Sequence, residues 1–384
     1  MPALDTFAAE KLARLDHKHL RRRLVDTARE DGIWVTRNGR RLLSFSCNDY
    51  LNLSQHPAVK DAAIAAIRAY GVGAGASRLV TGNHPLFAEL ESRLAALKGT
   101  DAACVFGSGY LANIGIIPTF AGKTDLVLVD ERAHSCIWAG AEMSGATVAS
   151  FRHNDLADAR KILQAQRGAH RHAIIATDGV FSMDGDLAPL PALAALAHEY
   201  DAWLLSDDAH GIGVMAGGRG STFAHAAPAH VPLQMGTLSK AIGGYGGYLC
   251  GSQSVIDLVK TKAASFVYST GLPPSSVAAA IASLDFIAAN PEYIDRPLNH
   301  ARTFARALNL PEAQSPIVPI VIGAADKALK ASQDLEDRGF LVVAIRPPTV
   351  PKDTARLRVA FTANHTSDDV QRLAEAIAPY VGRA

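Results

Sequence analysis

The chain has 384 residues, of which 48% are hydrophobic and 20% are charged, a balance typical of globular proteins rather than disordered or fibrous ones. Its 38 Lys and Arg residues nearly equal its 37 Asp and Glu residues, so a net charge of +1 gives no general attraction to nucleic acid or membrane. The four cysteines are far apart in sequence, at Cys47, Cys104, Cys136 and Cys250. Their spacing argues against both a zinc site and a disulfide framework. Since no apolar run reaches about 18 residues, we expect a cytoplasmic protein.

The N-terminal residues 1–49 predict an arm: an amphipathic helix followed by a short hairpin. The dipeptide Asn38-Gly39 is a strong signal for the turn of such a hairpin. We expect a large domain over residues 50–285 and a smaller one over residues 286–384.

Between Ala103 and Gly251, short apolar runs alternate with segments at helical spacing. This alternation predicts an α/β domain with a mostly parallel sheet. Acidic residues follow three of the runs: Asp130, Asp178, and the pair Asp207 and Asp208. Because ligands of such sheets bind at the carboxyl ends of the strands, we expect the site there.

The C-terminal segment has a different pattern. It predicts strands near Ile317 to Val321, Leu341 to Ala344 and Leu357 to Phe361, with helices at residues 325–337 and 366–381. The sequence therefore predicts a smaller α+β domain.

Two glycine-rich stretches could bind phosphate. The run Gly71 to Gly75 follows a predicted helix rather than a strand, so it does not fit a dinucleotide-binding fingerprint, and a flexible turn at the site entrance explains it better. The stretch Phe106 to Tyr110 does lie between a strand and a helix, where backbone amides can bind a phosphate. A plain strand-to-helix turn is the alternative.

The segment Asp207 to Gly211 places two carboxylates and an imidazole at the end of a buried strand. A structural ion pair is one explanation. The other is that Asp207 holds a protonated pyridine nitrogen, which would help the ring accept electrons.

Lys240 lies in an uncharged, glycine-rich stretch that follows another apolar run. A lysine by itself is usually a surface residue, but this setting makes Lys240 a candidate for Schiff-base formation. His134 could begin a helix or could stack on a cofactor ring, and the residues alone leave both possibilities open.

Seven ordered motifs together resemble the α-oxoamine synthases, which are fold-type I pyridoxal-phosphate enzymes: FGSGY, RAHSC, DGVFSMDGD, SDDAHG, GTLSKA, YSTGLPP and RPPTVPKDTARLR. The resemblance extends from about residue 40 to 380. Within that family, the segment Ala344 to Pro351 is most similar to members that join L-alanine to a pimeloyl thioester, carried by coenzyme A or by a carrier protein. Asp178 is a departure, because members often have Glu there.

The resemblance implies that pyridoxal 5'-phosphate is the cofactor and that Lys240 binds it as a Schiff base. It implies that His134 stacks on the ring, Asp207 pairs with the pyridine nitrogen and His210 contacts the ring hydroxyl. Other implied cofactor contacts are Ser108, Gly109, Tyr110, Ser182 and Thr237, and Thr270 toward the cofactor of a partner subunit in a homodimer. The implied catalytic residues are Lys240, His134 and Asp207.

The resemblance also implies substrate contacts. Asn48 and Arg356 would hold the amino-acid carboxylate, Arg21 would face the far carboxylate of the acyl chain, and Thr349 is a further substrate-binding residue. Glycine acetyltransferase or aminolevulinate synthase activity is the nearest alternative, and a cofactor-binding protein without catalysis is a more distant one. No nucleic-acid, membrane or metal partner is expected.

Overall fold

The structure is a computed structural model that describes residues 3–18, 20–30 and 32–382. These residues form two compact units. The larger unit contains Asn48–Ser182 and Asp186–Pro297, and the smaller unit contains the residues up to Cys47, Met183–Gly185 and the residues from Leu298 onward. The predicted arm and the predicted C-terminal domain thus fall in one unit, since strands from both form one sheet.

Helices occur throughout both units. They are α1 Ala3–His17, α2 Pro57–Tyr70, α3 Leu86–Lys98, α4 Gly109–Phe120, α5 Ser135–Ser144, α6 Leu156–Gln166, α7 Leu190–Glu199, α8 Gln253–Lys262, α9 Ala264–Val267, α10 Pro274–Ala289, α11 Pro291–Ile294, α12 Arg296–Ala307, α13 Ala325–Asp337 and α14 Ser367–Ile377. Among the described residues, none of them combines the length and the apolar character that crossing a membrane requires.

The strands form three sheets. They are β1 Thr27–Arg29, β2 Trp34–Arg37, β3 Arg40–Ser44, β4 Ala102–Phe106, β5 Leu126–Asp130, β6 Thr147–Phe151, β7 Ala173–Asp178, β8 Trp203–Asp207, β9 Leu233–Thr237, β10 Gly247–Gly251, β11 Ile317–Gly323, β12 Phe340–Leu341, β13 Val343–Ile345 and β14 Ala355–Ala360.

The larger unit is organised around a seven-stranded sheet with the order β4-β10-β9-β8-β7-β5-β6. Strand β10 runs antiparallel to β4 and β9, and the remaining neighbours are parallel. On β5, Val127 and Val129 pack into one hydrophobic core and Leu126 and Leu128 into another. Strands buried on both faces read as continuous apolar runs, and the predicted α/β class with a mostly parallel sheet is confirmed.

The sheet register brings polar strand ends together. Asp178 at the end of β7 lies opposite Asp207 at the end of β8, and Asp207 lies opposite Met235 of β9. Thr237 ends β9, three residues before Lys240. The carboxyl ends of the parallel strands therefore meet at one edge, as the apolar runs predict.

The smaller unit contains two sheets, with the orders β1-β2-β3-β12 and β11-β14-β13. The predicted hairpin turn lies between β2 and β3, where Asn38 and Gly39 have φ values of 50° and 73°. The single strand predicted at Leu341 to Ala344 is divided in the structure. Strand β12 pairs with β3 in parallel, whereas β13 pairs with β14.

A buried ion pair connects α3 to the end of β8. Lys98 Nζ lies 2.7 Å from Asp208 Oδ2, and the two side chains are 0% and 1% exposed. Lys98 also donates to the carbonyl of Arg219 at 2.8 Å, and Asp208 accepts from the amide of Ser221 at 2.9 Å. These contacts compensate the burial of both charges.

Removing one member of this pair is expected to destabilise the protein strongly. Lys98→Met leaves the Asp208 carboxylate buried without its cation, so the free energy of unfolding should fall by about 3–5 kcal/mol, measured by urea denaturation. Lys123→Met, at an exposed position, is the control and should change little. Adding Asp208→Asn to Lys98→Met should restore part of the loss. A loss below about 1 kcal/mol, the value of an exposed pair, would contradict the prediction.

Candidate active site

A cavity of about 170 Å³ lies in the larger unit and contains the carboxyl ends of three strands. Its lining includes most of the residues that the sequence assigns to the cofactor. The lining residues are Gly109, Tyr110, His134, Cys136, Asp178, Val180, Ser182, Asp207, Ala209, His210, Met235, Thr237 and Lys240. Residues from positions 109 to 240 are thus brought together by the strand order.

Lys240 is the amine of this cavity. Its Nζ lies 2.7 Å from His210 Nε2, and His210 Nδ1 lies 2.6 Å from the hydroxyl of Tyr50. The Tyr50 hydroxyl in turn donates to Asn48 Oδ1 at 3.4 Å. A polar chain therefore holds the lysine amine on one side.

Asp207 is one of two buried carboxylates in the cavity lining, with a relative exposure of 5%. Its Oδ1 accepts from the amide of Ala209 at 2.9 Å, and its Oδ2 accepts from Asn113 Nδ2 at 2.7 Å. The Cys136 thiol lies 3.9 Å from the same Oδ2. These donors stabilise an ionised carboxylate.

Asp178 lies beside Asp207 on the neighbouring strand and accepts from the amide of His134 at 3.0 Å. Burial and then the negative charge of Asp207 raise the pKa of Asp178 well above its usual range. Burial and the same charge also raise the pKa of the Cys136 thiol. This edge of the cavity favours a positive partner beside Asp207.

His134 precedes α5, and its Nδ1 lies 2.8 Å from Cys136 Sγ. Burial lowers the pKa of His134, the charge of Asp207 opposes this shift, and Lys240 adds to it. The ring is therefore favoured as a neutral imidazole, the form that suits stacking on an aromatic cofactor better than a cation would.

The N-terminus of α4 contributes anion-binding groups. Ser108 caps the helix by accepting from the amide of Leu111 at 3.2 Å, and the amides of Gly109 and Tyr110 belong to the first turn. Such amides have no partner within their own helix. A Cβ at Gly109 would lie 3.2 Å from the Met235 side chain and would fill the space beside the helix start. The arrangement fits a phosphate group.

Other predicted site residues lie outside this cavity. Thr270 pairs with Ser77 and contributes to a separate small cavity of the larger unit. In the smaller unit, Arg356 Nη1 lies 2.6 Å from Asp184 Oδ1. Arg21 Nη1 lies 2.6 Å from Asp16 Oδ2.

Thr349 lines another cavity, of about 470 Å³, within the smaller unit. Its hydroxyl accepts from Arg22 Nη2 at 2.8 Å, and Arg23 and Arg346 also line the cavity. The sequence leaves Arg22 and Arg23 unassigned. The structure places these two, rather than Arg21, among the lining residues.

Sequence reasoning misses three polar residues around the site. Tyr50 contacts His210, while Asn113 and Cys136 contact Asp207. A signal exists only for Asn113, which interrupts the apolar helix segment LANIGIIPTF. The position of Tyr50 depends on contacts over 160 residues of sequence, and no local pattern reports them.

Outside the cavity lining, His153 lies between two carboxylates, 3.1 Å from Asp130 and 2.7 Å from Asp186. Burial alone would lower its pKa, but the hydrogen bonds to both carboxylates outweigh burial and raise the pKa from 6.5 to about 9. Because the folded pKa lies above the unfolded value, the protonated ring stabilises the fold fully below pH 6.5. This stabilisation is lost as the pH rises through about 9.

We therefore expect His153→Gln to lower the urea midpoint most below pH 6.5, and the difference from wild type to shrink as the pH rises through about 9. Urea denaturation at a series of pH values above roughly 5, where the carboxylates remain ionised, measures it. His230→Gln, at an exposed position, is the control. A difference that grows with pH would show that the carboxylates do not hold a protonated ring.

Comparison with known proteins identifies the family. A sequence profile of class I and II aminotransferases matches residues 40–377. The chain belongs to this family. An 8-amino-7-oxononanoate synthase from Beijerinckia indica is 60% identical over 379 residues, covering 99% of this chain and 98% of the relative. One from Methylocella silvestris is 65% identical over 343 residues, covering 89% and 98%. The sequence-based resemblance is confirmed.

Solved structures of similar fold support the same assignment. A serine palmitoyltransferase from S. paucimobilis, with a bound PLP-myriocin aldimine, superposes with a TM-score of 0.92 at 27% identity, covering 99% of this chain and 98% of that one. The 8-amino-7-oxononanoate synthase from Francisella tularensis has a TM-score of 0.76 at 26% identity, covering 88% and 97%. The chain is an enzyme of the pyridoxal-phosphate-dependent fold type I. Its cavity fits that cofactor, because it offers an amine, a buried carboxylate, a neutral histidine ring and helix-start amides.

Proposed function

We propose that this chain condenses L-alanine with a pimeloyl thioester to form 8-amino-7-oxononanoate, carbon dioxide and a free thiol, a step of biotin synthesis. The observation that carries the proposal is the meeting of Lys240, Asp207 and His134 in one cavity. The identity of 60–65% with 8-amino-7-oxononanoate synthases is the reason for proposing L-alanine and a pimeloyl thioester as the substrates.

The cavity residues hold pyridoxal phosphate in this proposal. Lys240 would hold its aldehyde carbon, Asp207 its pyridine nitrogen and His134 its ring face. His210 contacts the ring hydroxyl. The cofactor phosphate would bind the amides at the start of α4, and Ser182 and Thr237 would complete the contacts with the cofactor. When bound, the cofactor supplies an electron sink for negative charge at the substrate Cα.

The protein moves protons and orients the reactants. The amine of Lys240 removes the Cα proton of alanine, and His210 keeps that amine in place through the contact at 2.7 Å. The alanine Cα then forms a bond to the thioester carbonyl carbon as the carbon–sulfur bond breaks, and the leaving thiolate takes a proton from solvent. Loss of the alanine carboxylate as carbon dioxide follows, and Lys240 returns a proton to Cα. Holding both substrates in one orientation accounts for much of the rate.

The substrate contacts rest on the motifs. Asn48 and Arg356 bind the alanine carboxylate, and Arg21 and Thr349 contact the acyl substrate, which is bound to coenzyme A or to a carrier protein. In a homodimer, Thr270 reaches the cofactor phosphate of the other subunit. We also propose that the enzyme acts in the cytoplasm.

The structural similarity to serine palmitoyltransferases favours one other candidate, condensation of serine with a long-chain thioester. The test is to load the purified protein with pyridoxal phosphate and to add L-alanine, glycine or L-serine, each with pimeloyl-, acetyl-, succinyl- or palmitoyl-coenzyme A. Thiol and carbon dioxide are measured together.

We expect thiol and carbon dioxide in equal amounts from alanine with pimeloyl-coenzyme A. Turnover of glycine with acetyl- or succinyl-coenzyme A, or of serine with palmitoyl-coenzyme A, in place of that pair would change the reaction but keep the family chemistry. No thiol release from any pair by a cofactor-loaded protein would contradict the proposed reaction.

A further inference from the structure

Asn113 is a buried polar residue in the middle of α4, with a relative exposure of 0%. Its neighbours on the buried side of the helix are apolar: Ala112, Ile116 and Ile117. Among the described residues, its Oδ1 is one of the buried oxygens without a hydrogen-bond partner. Burying an unsatisfied amide oxygen is unfavourable, so some other contact of this side chain has to compensate it.

That contact is the one with Asp207. Asn113 Nδ2 donates to Asp207 Oδ2 at 2.7 Å, and it also lies 3.1 Å from Cys136 Sγ and 3.6 Å from Met235 Sδ. Turning the amide over would place Oδ1 against an ionised carboxylate. The orientation with Nδ2 toward Asp207 is therefore required while Asp207 carries its charge.

Helix packing does not explain the side chain. The close approach of α4 and α5 occurs between Gly140 and the main chain of Asn113, where a Cβ on Gly140 would lie 2.6 Å from the Asn113 carbonyl oxygen. An apolar residue at position 113 would leave that main-chain contact intact. The amide group is thus needed for what Nδ2 binds.

We propose that Asn113 is a positioning residue, which holds the Asp207 carboxylate in one orientation for the pyridine nitrogen of the cofactor. This inference rests on the cofactor placement of the proposed function. The backbone amide of Ala209 fixes the other carboxylate oxygen at 2.9 Å. Without Asn113, Oδ2 would keep only the Cys136 thiol at 3.9 Å, so the carboxylate would be held less firmly.

The test uses the full-length variants Asn113→Leu and Asn113→Ser, with Ile116→Val as the control for a changed side chain on the same buried helix. Two quantities are measured: the dissociation constant of pyridoxal phosphate, and the ¹⁵N chemical shift of the pyridine nitrogen in ¹⁵N-labelled cofactor. Circular dichroism checks that each variant is folded.

We expect both Asn113 variants to bind the cofactor about 10- to 100-fold more weakly, as expected for the loss of one charge-assisted hydrogen bond. We also expect the pyridine nitrogen to shift toward its unprotonated position. Ile116→Val should match wild type in both measurements. A merely structural role would leave the nitrogen shift unchanged.

Folded variants with wild-type affinity and nitrogen shift would overturn the inference. If Asn113→Leu fails to fold, Asn113→Ser decides. Failure of both to fold assigns the side chain to stability and also overturns the inference. A wild-type protein that does not bind the cofactor would instead contradict the proposed function.

Discussion

Lys240→Ala is expected to lower turnover of alanine and pimeloyl-coenzyme A by about 10⁴-fold, because the variant lacks the amine that moves the Cα proton. Loss of the covalent attachment adds to this effect. Thiol release under saturating substrate measures turnover. The visible absorbance band of the lysine-bound cofactor should disappear at the same time, although noncovalent contacts such as those of Asp207 and the α4 amides remain.

The control is Lys262→Ala, which changes an exposed lysine of α8 in the same unit. It should retain wild-type turnover and the absorbance band. Adding a small primary amine to Lys240→Ala should restore part of the turnover, since the amine can take over the proton transfer. If Lys240→Ala and Lys262→Ala turned over the substrates at the same rate without added amine, Lys240 would be excluded as the base.

Asp207→Asn is expected to lower kcat by about 10³-fold. At an effective dielectric near 20 and a separation of ~4 Å, opposite charges interact by about 4 kcal/mol, which corresponds to roughly that change in rate. Asparagine keeps the shape of the side chain but cannot hold a protonated pyridine nitrogen. The measurement is kcat with alanine at saturating cofactor, so that weaker cofactor binding does not contribute.

Asp257→Asn is the matched control, because Asp257 is an exposed carboxylate of α8. Asp207→Glu keeps the charge but displaces it, and it should fall between wild type and Asp207→Asn. A kcat for Asp207→Asn close to that of the control would show that the carboxylate does not assist the reaction.

Much of the larger unit could be predicted from the sequence, because its signals are local. The apolar runs that end at Asp130, Asp178 and Asp207 are strands β5, β7 and β8, and the parallel register places the last two carboxylates side by side. The same reasoning places Lys240 after a strand, at the edge where ligands bind. Only the ordered motifs, however, identify the cofactor.

In the smaller unit, local sequence patterns do not predict all of the strands. The two-residue strand β12 exists because β3 pairs with it, and no pattern within Phe340 and Leu341 reports that partner. The break between β12 and β13 at Val342 also results from non-local pairing, because β13 pairs with β14 and not with β3. Side-chain partners are equally non-local: the Asn113 amide is recognisable as unusual in sequence, but its partner Asp207 is 94 residues away.

The pairing of β3 with β12 also affects the order in which the chain can fold while it is being synthesised. The amide of Val343 donates to Ser46 Oγ across 297 residues of chain. At about 5–20 residues per second, a ribosome needs on the order of 15–60 seconds to make that stretch. The larger unit is synthesised up to Pro297 before β12 begins at Phe340, so the larger unit can form while β3 still lacks its partner. We therefore expect a nascent chain stalled before β12 to expose the β3 edge as an unpaired strand that can pair with another chain.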